Sequence, residues 1–163
     1  MTSTGTGRNR LSRLAAKEVP HRSEDRFFAA KADVKKACEE LLHTLRTSSA
    51  SAPMIADLST AVSRMEQQVK EIEPDEAKSA TIVRELGKQV QHLQVAEDWV
   101  AHAERVLDRL GDHAKETRER LLEAQDSVMW CVRAQHWDGE LTAAAKRLEQ
   151  LVKEAEAQAA RLG

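Results

Sequence analysis

Residues 93–131, LQVAEDWVAHAERVLDRLGDHAKETRERLLEAQDSVMWC, decide the fold. Within them Leu93, Ala96, Val100, Ala103, Leu107, Leu110, Ala114, Thr117, Leu121, Ala124, Val128 and Cys131 follow one another at steps of three and four. That spacing returns each side chain to one face of an α-helix, and its persistence over about five heptads predicts a coiled-coil or long-bundle seam. A single helix cannot cover such a stripe, so it must pack against other helices of this chain or of another.

The composition agrees with that seam. The chain has 163 residues, 41% apolar and 32% charged, with no Tyr and only Phe27, Phe28, Trp99, Trp130 and Trp137 as aromatics. Such a mixture suits long helices and leaves little raw material for strands. The expected fold is all-α: an elongated antiparallel helical bundle or coiled coil of about four helices, built on one long central helix and preceded by a disordered N-terminal arm.

Charge divides the chain. Residues 1–22 contain Arg8, Arg10, Arg13, Lys17 and Arg22 against Glu18 alone, a net +4 that leaves −6 for the remainder of the formal −2. Residues 1–10, MTSTGTGRNR, have no apolar partner after Met1 and are expected to be disordered. Leu11, Leu14, Ala15 and Val19 form a short amphipathic stretch that Pro20 is expected to close. Three readings of the arm stand: a solvated tail, a contact for nucleic acid or an acidic partner, or, over residues 1–17, a mitochondrial targeting sequence rich in Arg, Ser and Thr.

Over residues 23–163 the spacing predicts a bundle with helices at about 24–46, 53–73, 75–137 and 139–162. Ser23 is the expected N-cap of the first, with Glu24 and Asp25 in its opening turn. Pro53 suits the first turn of the second, where Ile55, Leu58, Val62, Met65, Val69 and Ile72 repeat the heptad spacing, and Pro74 breaks the chain again. Gly111-Asp112 is the one candidate break in the third helix. Because the seam passes from Leu110 to Ala114 in phase, a continuous helix of about 95 Å is expected. Past Cys131 the phase fails at Gln135 and Asp138, and Asp138-Gly139 reads as a turn before Leu141, Ala145, Leu148, Val152, Ala155, Ala159 and Leu162.

The long helix carries more than one apolar face. With Leu93 at position a, Trp99 and Val106 fall at g, whereas Leu122 and Met129 fall at b and Trp130 and Trp137 at c, away from the seam. Two apolar faces require two partners. The expected protein interface is therefore Leu93, Val100, Leu107, Leu110, Leu121, Val128, Trp130 and Trp137. Thr117, the polar residue in the seam, either specifies register or bonds its hydroxyl to the carbonyl one turn back.

Catalytic chemistry finds no support. A di-iron carboxylate bundle needs two inward Glu-x-x-His motifs; Glu40-Leu41-Leu42-His43 is the one copy, and His43 lies about 200° around the helix from Leu41. His102 and His113 are nearly in line but about 16 Å apart along one helix, too far to share a metal. No phosphate-binding Gly loop, Ser/His/Asp spacing or Cys-x-x-Cys is present, and no cofactor is expected. Cys38 and Cys131 sit at apolar helix positions, as buried thiols in a reducing compartment do. No run approaches the length of a membrane span, and no signal-peptide-like apolar run follows Met1, so a cytoplasmic protein is expected. Trp137-Asp138-Gly139 resembles the Trp-x-Gly turn of the small helical-hairpin proteins exported by type VII secretion. The turn lies far off centre, and no Tyr is available for that family's export signal, so the family is not assigned.

The function these features imply is a non-enzymatic interaction or scaffold subunit that joins a homodimer or a multi-protein complex by helical packing. The alternative is a nucleic-acid or acidic-partner binder that uses Arg8, Arg10, Arg13, Lys17 and Arg22, with the bundle as its dimerisation platform.

Overall fold

The computed structural model describes the backbone of residues 7–74 and 77–162, with side chains over 25–74 and 78–161. Among the described residues all regular structure is helical: α1 (Gly7–Leu45), α2 (Ala52–Glu71), α3 (Ala77–Leu110), α4 (Lys115–Arg133) and α5 (Gly139–Leu162). The count is five, not four. The helical backbone of α1 includes Ser23, which therefore does not cap its start, because an N-cap residue needs non-helical dihedrals. The side chains of the basic arm, Arg8, Arg10, Arg13, Lys17 and Arg22, lie outside the described ones.

The continuous helix expected over 75–137 is instead a hairpin. Gly111 takes φ +57° and Ala114 φ 54°, both left-handed, and the chain reverses between them. The Gly111 N–H donates to the Leu107 carbonyl (3.1 Å), and the Arg118 guanidinium reaches back from α4 to the same carbonyl (2.8 Å). A carbonyl oxygen has two lone pairs, and Arg118 takes the second of Leu107's, tying the first turn of α4 to the last turn of α3. Phase misled here for a simple reason. Residues 111–114 amount to about one helical turn by count, so the three-and-four spacing survives a reversal and cannot report whether the axis continues.

Cross-helix bonds give the directions. From α4, Arg118 meets Leu107 and Gln125 Nε2 donates to the Val100 carbonyl (3.1 Å), so α4 runs back along α3. After the second reversal α5 runs parallel to α3, with His102 Nε2 3.0 Å from Glu156 Oε2. Between α4 and α5 the Thr117 hydroxyl donates to Gln158 Oε1 (2.6 Å), so Thr117 bonds across the helix pair instead of one turn back. The first half is built likewise. Val34 of α1 lies against Gly87 of α3, and Ser48, just past α1, donates to Glu97 Oε2 (2.7 Å), so α1 and α3 are parallel. Between them α2 is antiparallel, and Lys31 Nζ of α1 caps its end at the Ile72 carbonyl (3.0 Å).

Helix α3, about 51 Å long, is thus shared: α1 and α2 pack on it in one group, α4 and α5 in another. The groups meet where the start of α2 touches the end of α4, marked by Arg133 Nη1 to Asp57 Oδ2 at 3.2 Å. One contiguous apolar core runs through both. Leu58, Val62, Met65 and Val69 of α2 belong to it, as do Leu141, Leu148, Val152, Ala155 and Ala159 of α5, and Ala145 is buried as well, in line with the spacing. Cys38 and Cys131 are buried free thiols.

Candidate functional site

The end of α4 is closed by two bonds of the Schellman type. The His136 N–H donates to the Cys131 carbonyl (3.0 Å) and the Gln135 N–H to that of Val132 (3.4 Å), with Gln135 left-handed at φ 62°. A left-handed non-glycine residue costs about 1 kcal/mol. What it achieves is to send two successive side chains to opposite sides. Trp137 turns inward and is 3% exposed; its indole Nε1–H donates to the Val132 carbonyl (3.0 Å), and its own carbonyl accepts from His92 Nδ1 (2.6 Å). His136 turns outward and meets Trp130 edge to face, with ring centroids 5.0 Å apart at 87°.

Trp130 itself is 52% exposed, the most exposed of the large apolar side chains described. Asp138 and Gly139 lead into α5, whose first turn holds Glu140, and Glu140 Oε2 lies 2.8 Å from His136 Nδ1. The Ala143 and Ala144 that follow are too small to fill the space beside Trp130. The result is an open trough of about 410 Å³ lined by Ser127, Trp130, Cys131, Glu140, Ala143 and Ala144, in which Glu140 is the one charged side chain. Burial, reinforced by the nearby carboxylates of Glu140 and Asp138, raises the Cys131 thiol above its ordinary value. Cys131 is 5% exposed and adds apolar bulk to the wall of the trough.

The expected interface residues separate. Leu93, Val100, Leu107, Leu110, Leu121, Val128 and Trp137 are buried by other helices of the same chain, and Trp130 alone presents itself to solvent. The seam and the second face that carries Trp130 and Trp137 were read as two faces of one continuous helix; the reversals after Leu110 and Arg133 turn the seam and Trp137 inward and leave Trp130 outside. Residues the spacing did not single out, His136, Glu140, Ala143 and Ala144, complete the site. His136 and Glu140 do carry the four-residue separation of a helical pair, but a helix boundary falls between them.

For the other candidates, His102 pairs with Glu156, whereas His43 and Glu40 are exposed, as is His113. Among the described residues no group of three His, Cys, Asp or Glu could hold a metal, and no helix is long and apolar enough to cross a membrane. Comparison with known proteins returns no match to a family model, a curated protein or a solved structure.

Proposed function

We propose that this chain is a non-enzymatic helical interaction subunit that meets a protein partner through the Trp130 face of the α4–α5 pair. The observation that carries this reading is the half-exposed indole beside an open trough, on a scaffold that has otherwise buried its seam. Covering the exposed part of a Trp side chain, about 100 Å², contributes about 2.5 kcal/mol, and aromatic side chains of this kind dominate interface energetics. Free, buried thiols suit a reducing compartment such as the cytoplasm.

Quantitative co-precipitation from the source cells with the full chain, Trp130→Ala and Val95→Ala tests the assignment. Val95 is as exposed as Trp130 but lies on α3. A partner retained by the full chain and by Val95→Ala, and lost with Trp130→Ala, supports the reading. Equal retention by all three overturns it. The +4 charge of residues 1–22 favours a second reading, salt-dependent association with nucleic acid. That reading requires retention on DNA or RNA at low salt to disappear when residues 1–22 are removed.

A further inference from the structure

The surroundings of two tryptophans share the same parts. Around Trp99 the His102 ring stacks at 5.4 Å, His102 pairs with Glu156, Lys153 Nζ sits 5.9 Å over the indole, and Lys153 Nζ donates to Glu149 Oε2 at 2.8 Å. This is an aromatic ring and a carboxylate holding one cation between them. Around Trp130 there are again a ring, a histidine and a carboxylate, Trp130, His136 and Glu140, but the histidine meets the indole edge-on and the one carboxylate serves where Trp99 has two, Glu156 on the histidine and Glu149 on the lysine. Among the described residues no lysine or arginine sits over the Trp130 indole.

Resting on the protein-interaction reading above, we propose that the Trp130–Glu140 trough binds an arginine side chain of the partner, taking from outside the cation that Lys153 supplies at Trp99. Chemistry favours that guest over an apolar one. A purely apolar side chain would cover Trp130, Ala143 and Ala144 but strip water from the Glu140 carboxylate without replacing it, which is unfavourable. An arginine lays its methylene stem on the alanine floor, brings its planar guanidinium to the indole and donates to the carboxylate. Glu140 stands in the first turn of α5, where the helix dipole favours a negative charge. His136 Nδ1 lies 2.8 Å from Oε2 of that carboxylate, on the side next to the indole.

Three tryptophans give three indole N–H signals in a nitrogen-15 correlation spectrum, and Trp130→Phe assigns the one that matters. The full-length protein is titrated with hexa-arginine amide and, separately, with hexa-citrulline amide, its neutral isostere. Expected is a saturable shift of the Trp130 signal with the arginine peptide alone, weakened about fivefold in Glu140→Gln, while the Trp99 and Trp137 signals stay in place. An unmoved Trp130 signal, an equal response to citrulline, an undiminished response in Glu140→Gln, or a parallel shift of Trp99 overturns the inference. If the peptide fails while Trp130→Ala still loses the partner in co-precipitation, the interaction reading stands and only the arginine assignment falls.

Discussion

The Arg118 guanidinium of α4 and the Leu107 carbonyl of α3, 2.8 Å apart, fasten the first turn of one helix to the last turn of the other. The bond ties the two sides of the reversal at Gly111 together, so Arg118→Ala removes a charge-assisted hydrogen bond, while the Leu107 carbonyl keeps the Gly111 N–H. We expect a loss of about 1.5–3 kcal/mol in urea unfolding. Gly111→Ala, which forces a side chain into the left-handed region with open space around it, is expected to lose about 1 kcal/mol by backbone strain alone.

Trp137 is buried and Trp130 half-exposed, so the two are expected to differ in their weight on stability. Trp137→Ala empties a buried site and removes the donor to Val132, and is expected to lower unfolding stability by about 3–5 kcal/mol. Trp130→Ala is expected to change it by less than about 1 kcal/mol, because half of the indole already faces water. Parallel urea titrations of the two variants check this, and equal losses would place Trp130 in the core's service instead of a partner's.

Gln125 is fully buried, and its Oε1 has no hydrogen-bond partner, although Nε2 donates to Val100 and to Glu104 Oε1 at 3.1 Å each. An orphaned buried acceptor costs about 1–3 kcal/mol. Gln125→Met, of similar length and without that acceptor, is therefore expected to raise the thermal midpoint. Gln125→Glu, which brings a second carboxylate beside Glu104, is expected to lower it sharply. Thermal unfolding of the pair reads both signs.

Burial, aided by the Glu66 and then the Glu39 carboxylates, pushes the Cys38 thiol from 9.0 up to about 11. A thiol is neutral when protonated, so between these values the folded chain keeps a proton that the unfolded chain releases. The associated stability is whole below pH 9 and is lost as pH rises toward 11. With no Tyr in the chain, thiolate absorbance can be followed without interference from tyrosinate. Native protein is expected to titrate Cys38 late and urea-unfolded protein near the ordinary value. The alkaline loss of stability over this window shrinks in Cys38→Ala.

Much of the fold was legible because burial in helices follows a simple angular rule. Leu58, Val62, Met65 and Val69, and the run from Leu141 to Ala159, are where their spacing predicts. The site was legible only at Trp130. Its other parts come from α5 and from the turn, and they meet Trp130 through a left-handed Gln135 that nothing in its residue type announces. Trp137, grouped with Trp130 on one helical face, went the other way because α4 stops at Arg133 and the helical rule no longer applies beyond it.

The sequence by itself determined that the chain is helical and which side chain of each helix is apolar, since both follow from local spacing and composition. Only the tertiary structure decided which apolar side chains remain uncovered. Whether a stripe faces the chain's own helices or solvent depends on where the backbone reverses, and a four-residue turn at Gly111 leaves the residue count, and hence the periodic signal, unaltered.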